Sequence, residues 1–347
     1  MERIVFAELS LAADIGIFLA AALAIALAGV ALTYRADVVA DRTGLGEAMV
    51  GAVLLGITTS LSGTVTSVTA ALDGNTAMAI SNAVGGIAAQ TAFLAVADLF
   101  YRKANLEHAA AEATNLAQAT LLILMLSIPL IAYATPEMTL WVVHPASLVL
   151  LIVYVMGLRL TQGMRADPMW TPRSTRLTRI DRPEEESDTL PAAPVLASQL
   201  VGLIGVVAAA GWVIAESGSA IAERAGLSQT VMGALFTAVA TSLPELVTTV
   251  AAVRRGALQL AVGGIIGGNV YDVLFLAASD AAWDGGSIYH AMELRHVFLL
   301  ALGILMTAVL LLGLIRRERT GPAGIGFESV AILALYGGAV ALQLALG

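Results

Sequence analysis

The stretch TSLPELVTT, residues 241–249, sits inside an apolar run long enough to cross a membrane, yet it carries Pro244 and Glu245 near the middle of that run. The phrase occurs earlier as TSLSGTVTS, residues 59–67, where Ser62 and Gly63 take the places of the proline and the acid. A helix written twice and charged once poses two questions. One is what fold needs two copies, and the other is what the single carboxylate does.

The surroundings of both copies answer the first question. Hydrophobic residues make up 58% of the 347 and charged residues only 13%, which places the chain among membrane proteins. Runs of about 20 apolar residues, enough for roughly 30 Å of hydrocarbon, recur along it. They fall near 12–34, 45–71, 76–100, 115–134, 138–158, 195–215, 230–252, 257–279, 296–315 and 327–346. Threading these ten from the outside inward puts fifteen of the eighteen Lys and Arg on inner loops. Only Arg3, Arg224 and Arg295 fall outside. That positive-inside bias predicts both termini outside. The N-terminus, MERIVFAELSLAAD, has no basic leader or cleavage pattern and reads as retained.

Sliding the sequence by 182 residues aligns 44–98 with 226–280 without a gap, giving 19 identities in 55 positions. Among them are Gly51/Gly233, Thr59/Thr241, Ser60/Ser242, Gly85/Gly267, Gly86/Gly268 and Asp98/Asp280. Each copy opens a five-helix half, and an odd number of crossings turns the second half upside down. This is the inverted-repeat plan of secondary transporters, with a site near the midplane. The expected organisation is a first half over 1–160 with repeat one at about 40–98. A cytoplasmic linker over 161–194 follows, then a second half over 195–347 with repeat two at about 222–280. The linker holds five prolines, a basic stretch and EEESD at 184–188, and reads as short and solvated.

The residues that carry chemistry lie in the repeats. Thr241, Ser242 and Glu245 are three and four apart and share a helix face. Pro244 lacks a donor, which frees the carbonyl of Ala240. A carboxylate, hydroxyls and free carbonyls are hard oxygen ligands suited to sodium, calcium or magnesium. In GGIIGGNVYD, 263–272, Asn269 and Asp272 follow the glycines. The first copy offers Thr59, Ser60 and, opposite Asp272, Gln90. Ionisable groups at membrane depth are costly and usually functional, which singles out Glu245 and Asp272. The glycines at 81–86 and 263–268 read chiefly as close-packing faces, and GGIIGG lacks the lysine and strand of a phosphate loop. Asp98 and Asp280 read as polar helix ends at the membrane surface, and Asp14, Glu216, Trp141, Trp212 and Trp283 as interface residues. There is no cysteine, and the four histidines form no ligand-spaced cluster. No constellation for enzymatic catalysis, cofactor or nucleic-acid binding stands out, so the expected partners are inorganic cations and the lipid bilayer. No obligate protein partner is evident.

TSLPEL followed by Gly-Gly-Asn-Val-Tyr-Asp, within an inverted repeat, resembles the alpha repeats of the calcium/cation antiporter superfamily, which includes the sodium/calcium exchangers. The close match covers about a third of the chain. The resemblance implies an all-α fold of ten transmembrane helices in two inverted halves of five, with the first helix of each half sliding as a gate. It implies cation ligands at Thr59, Ser60, Gln90, Thr241, Ser242, Glu245 and Asp272, with Asn269 beside them and carbonyls near Gly56 or Ala240 as further candidates. The implied activity is a prokaryotic inner-membrane antiporter working by alternating access, exporting Ca2+ or another divalent ion against Na+ or H+. A Na+/H+ or other monovalent cation/proton exchanger is the alternative, and a non-transporting cation sensor a second. The chain departs from the family at Ser62-Gly63, where Pro-Glu is usual, and at Gly86 and Gly268, where serine is. By pseudo-symmetry Gly63 should face the same cavity as Glu245, so Gly63→Glu should add a ligand.

Overall fold

The computed structural model describes residues 10–43, 59–101, 103–110, 112–178, 193–321 and 324–346. The described residues are almost entirely helical, with one isolated bridge between Leu140 and Val143 and no longer strand. The helices are α1 Leu11–Thr43, α2 Leu61–Leu72, α3 Thr76–Asp98, α4 Ala113–Ala134, α5 Pro145–Ala166 and α6 Ala193–Ala225. They continue with α7, which is bent, α8 Leu258–Ala282, α9 Leu294–Arg316 and α10 Phe327–Leu346. Eight are long and apolar enough to span a membrane, and the bent α7, Gln229–Thr241 plus Leu243–Arg255, makes a ninth. Of the tenth expected span, 45–71, the described part is α2 with Thr59 and Ser60; Gly56 lies outside the described residues. This is the ten-helix, two-half membrane architecture.

Several boundaries differ from their apolar runs: α1, α5 and α6 run on to Thr43, Ala166 and Ala225, past 34, 158 and 215, and the start of α5 moves as well. The fifth helix begins at Pro145, not near 138, although Leu140, Trp141, Val142 and Val143 are hydrophobic. There the chain makes a tight turn, with Leu140 N bonded to Val143 O at 2.8 Å and Trp141 at φ 61°. Pro145, lacking a donor, starts the helix, and the ring of His144 accepts from Ala146 N at 3.1 Å as its cap.

The halves interlock. Helix α10 packs on α3 of the first half, while α5 packs on the end of α8. Asp98 and Asp280 make these joints. Asp98 accepts from Leu106 N at 2.8 Å, Gly326 N at 3.0 Å and Ser329 Oγ at 3.0 Å. Asp280 accepts from Ile288 N at 3.0 Å, His144 N at 2.7 Å and Ser147 Oγ at 2.7 Å. Each donor lies 182 positions from its counterpart, so the internal repeat extends well past the aligned stretch. Both aspartates are buried, so they are not the surface helix ends that the sequence suggests. They staple the last turn of α3 or α8 to the start of α10 or α5.

Helices α1 and α6 pack along each other outside this core. Arg224 pairs with Asp14 at 2.6 Å near one end, and Arg35 Nε donates to Gln199 Oε1 at 2.8 Å near the other. Asp14 is therefore a buried ion-pair partner. Each of the two helices crosses the core at a glycine. A Cβ at Gly29 would overlap the Pro244 ring, and one at Gly211 would lie 2.7 Å from the carbonyl oxygen of Ser62. Gly29 and Gly211 are repeat counterparts, as are Pro244 and Ser62, so α1 crosses the second repeat where α6 crosses the first.

The described part of the linker is not loose. Arg317 donates to Arg173 O at 2.7 Å and to Thr178 Oγ1 at 3.2 Å, and His108 Nε2 meets Thr175 Oγ1 at 3.0 Å. Leu177 adds apolar contact to the core beneath. The acidic run 184–188 lies outside the described residues. The histidines are also less scattered than their spacing suggests, since the His144 and His290 rings lie 5.5 Å apart. No group of three acids or histidines among the described residues has metal-holding geometry.

Candidate cation site

Helices α2 and α3 of the first half meet α7 and α8 of the second at the centre. The first arm of α7 widens into a π-helical turn over Met232–Thr237 and breaks at Ser242, and the two arms are bent by 45°. A wide turn followed by a proline is a recurrent way to open backbone at a functional site. Among the described side-chain bonds, the carbonyl that receives an outside donor is that of Thr241, one residue beyond Ala240. Ser62 Oγ bonds it at 2.9 Å. Ser62 is the repeat counterpart of Pro244, so the residue standing in for the proline caps the break beside it.

Glu245 lies in the first turn of the second arm, buried, where the helix amides favour negative charge. Thr59 neighbours it, and Ser60 neighbours Asp272. Asp272 Oδ2 accepts from Gln90 Nε2 at 2.7 Å, and the same nitrogen donates to Ser242 Oγ at 3.2 Å. Gln90 and Asp272 are repeat counterparts, so this bond crosses the pseudo-twofold axis between the halves. Thr241 Oγ1 donates back to Thr237 O at 2.9 Å, leaving its lone pairs available. Asn269 is held by Thr91, the neighbour of Gln90, at 3.0 Å. It does not bond to the carboxylates. Glu245 with Thr59, and Asp272 with Ser60, Gln90 and Ser242, meet through these contacts, while Thr241 Oγ1 reaches Asn82 Oδ1 at 3.5 Å and not a carboxylate.

The glycine pairs divide by function. A Cβ at Gly85 would lie 2.6 Å from the backbone of Ala234, a close-packing contact. At Gly86 it would lie 3.7 Å from Ser242 Oγ and 3.9 Å from Asp272 Oδ2, and at Gly268 3.5 Å from Gln90 Oε1. Gly86 and Gly268 therefore border the polar centre, beyond the packing role read from the sequence. Both oxygens of Glu245, Oδ1 of Asp272, Oε1 of Gln90 and Oδ1 of Asn269 are buried without a hydrogen-bond partner among the described residues. An unsatisfied buried acceptor costs about 1–3 kcal/mol, more if charged. These five unpartnered acceptor oxygens, with the Ser60 hydroxyl also unpartnered beside Asp272, fit a hard cation.

The first-half side is closed. A Cβ at Gly63 would lie 2.7 Å from the ring of Phe275, so Gly63 faces an aromatic plug and not an open cavity. Asn82 completes the closure. Its Nδ2 donates to Gly63 O at 3.2 Å and Ser67 Oγ at 2.9 Å, and its Oδ1 accepts from Thr237 Oγ1 at 2.9 Å. Sequence reasoning missed Asn82, although an amide in the middle of an apolar helix was the signal available. The expected outcome for Gly63→Glu is therefore a loss of stability by about 1–3 kcal/mol from overpacking, with no tighter calcium binding. Combining it with Phe275→Ala should restore the melting temperature and reveal the added ligand. Thermal unfolding and calcium titration of both variants decide it: tighter binding by the single variant at an unchanged melting temperature would overturn this account.

A model of the sodium/calcium exchanger protein family matches residues 13–161 and 195–345. A 75-residue stretch is 35% identical to the inner membrane protein YrbG of Escherichia coli K12, covering 22% of this chain and 23% of that one. A 55-residue stretch is 46% identical to the sodium/calcium exchanger MaX1 of Methanosarcina acetivorans, 16% of each chain. These alignments span less than a quarter of either relative's own length. An uncharacterised membrane protein of Methanocaldococcus jannaschii is 24% identical over 288 residues, 83% of this chain and 84% of that one. Among solved structures, the sodium-calcium exchanger NCX_Mj superposes with a TM-score of 0.63 at 20% identity, over 94% of this chain and 97% of that one. That likeness establishes the fold.

Proposed function

This chain belongs to the sodium/calcium exchanger family, and from that premise we propose that it is a secondary-active cation antiporter exporting Ca2+ or another divalent cation in exchange for Na+ or H+. The observation that carries the proposal is the set of unpartnered buried oxygens on Glu245, Asp272 and Gln90. Hard oxygens of this kind suit sodium and calcium. MaX1 and NCX_Mj, by their names, exchange sodium and calcium. In this reading Glu245 and Asp272 supply charge, while Thr59, Ser60, Gln90, Thr241 and Ser242 complete the shell and Asn269 steadies α8 against α3. Helices α1 and α6, tied to each other at both ends, move together across the glycine contacts to expose the site to alternate sides. The arginine-rich loops are cytoplasmic, both termini lie outside, and the setting is a prokaryotic inner membrane. The first half spans 1–160, the linker 161–194 and the second half 195–347.

The closed first-half side favours a second reading, exchange of monovalent cations for protons. With Phe275 where an acid at position 63 would project, the candidate site holds at most two negative charges. One divalent ion, or two monovalent ions or protons, would neutralise it, and each elementary charge left over would feel about 2.3 kcal/mol per 100 mV. Flux in proteoliposomes, with calcium, magnesium and sodium gradients imposed separately at clamped potentials, separates the readings. Calcium uptake driven by a sodium or proton gradient, with little voltage dependence, is the expected result. Sodium-driven proton flux without calcium movement would select the second reading, and steep voltage dependence would overturn the two-carboxylate account.

A further inference from the structure

The two aspartate staples have the same backbone plan but different chemistry around it. At the Asp280 staple, Tyr289 OH meets Ser147 Oγ at 2.8 Å. The position 182 before Tyr289 is Glu107, in the short helical turn Leu106–Ala109, and the position 182 after Ala146 is Glu328, in the first turn of α10. At the Asp98 staple, then, the serine is kept as Ser329, while the tyrosine and the alanine are replaced by two acids. Glu107 and Glu328 are each 1% exposed, and their carboxyls are in hydrogen-bonding contact. Oε2 of each has no partner among the described residues. Glu328 occupies space that exists only because two neighbours lack side chains: a Cβ at Gly313 or at Gly326 would overlap it.

Two carboxylates cannot hydrogen-bond to each other without a proton between them. We propose that Glu107 and Glu328 form a proton-binding site, separate from the central site, that holds one shared proton and keeps the start of α10 seated on the first half. The facing groups are all acidic: Asp98 from α3, Glu328 from α10 and Glu107 from the turn. Asp98 is satisfied by its three donors and has none to offer. The nearby base Arg317 is turned to the linker and to His108 O, and His108 Nδ1 donates to Arg317 O at 2.7 Å. Loss of the shared proton leaves three carboxylates in one buried pocket with no counter-charge, and their repulsion acts directly on the joint between α3 and α10.

Burial first, and then the neighbouring Asp98 and Glu328, hold the Glu107 carboxyl well above the ordinary carboxylate range. A carboxyl raised in this way keeps its proton to higher pH in the folded protein than in the unfolded one. Its stabilisation is complete at low pH and is lost as pH rises through the folded value. This inference does not depend on which ion the central site carries.

Hydrogen–deuterium exchange of the full-length protein in nanodiscs tests it, read at segments 104–110 and 324–330 and corrected for the intrinsic pH dependence of exchange. In the wild type, protection should fall by about tenfold per pH unit between the ordinary carboxylate range and the raised Glu107 value, the slope of one proton, and level off above it. In Glu328→Gln the amide donates to the Glu107 carboxylate without a proton, so protection at both segments should stay flat with pH. Wild-type protection that is flat, or a Glu328→Gln slope equal to the wild-type one, would overturn the proposal. So would recovery of alkaline protection on adding calcium alone, which would make the pair a cation site. Should Glu328→Gln fail to fold, Glu107→Gln carries the same expectation, and the wild-type slope stands as a test by itself.

Discussion

Glu245→Gln is expected to reduce ion exchange to background while the protein inserts and folds as before. The substitution keeps shape and removes the charge. Glu245 contributes two of the unpartnered oxygens at the centre, and Asp272 would be the single remaining carboxylate. A charge about 4 Å from a cation in a medium of effective dielectric near 20 is worth about 4 kcal/mol. Its loss is therefore roughly a thousandfold in cation affinity. The measurement is initial flux in proteoliposomes beside a thermal melt of the same preparation. Wild-type flux in a normally melting variant would remove Glu245 from the site.

The largest expected loss of stability is at Asp280. Alanine there leaves Ile288 N, His144 N and Ser147 Oγ without an acceptor in a buried place. Three orphaned donors at about 1 kcal/mol or more each make a loss of roughly 3 kcal/mol or more. The melting temperature in detergent should fall steeply for Asp280→Ala and less for Asp280→Asn, which keeps one carbonyl acceptor. An unchanged melt for the alanine variant would mean that these bonds do not hold α5 to α8. Because the effect is on the joint and not on the ion, flux per surviving folded molecule should change little.

How much of this was legible in the sequence depends on whether the determinant is a side chain or a backbone group. The spans and the repeat declare themselves through apolar length and matched glycines, hydroxyls and acids. Glu245, Asp272 and Gln90 declare themselves because charge and amide at membrane depth need a reason. The staples read as surface ends in the sequence because two of the three donors to each aspartate are backbone N–H groups, which Gly326 and His144 supply equally well despite having nothing in common as residues. The closure of the first-half side was invisible for a related reason. Phe275 and Gly63 are 212 positions apart by numbering, and nothing in either local pattern says that one fills the other's space. The late start of α5 shows the opposite failure: hydrophobicity alone suggested helix, while Pro145 and the turn at Trp141 set the boundary.

The interlocking of α10 with the first half also sets a schedule for synthesis. Asp98 is translated 228 residues before Gly326 and 231 before Ser329, the partners that satisfy it from α10. At about 5–20 residues per second, the ribosome needs roughly ten to fifty seconds to deliver them. Asp280 has no such wait, because His144 and Ser147 are already in the membrane when α8 emerges. The nascent chain thus completes one joint on arrival and carries the other open until α10 is made. A chain truncated before α10 would keep an acid exposed at that rim, a lasting mark by which membrane proteases could tell an unfinished molecule from a finished one.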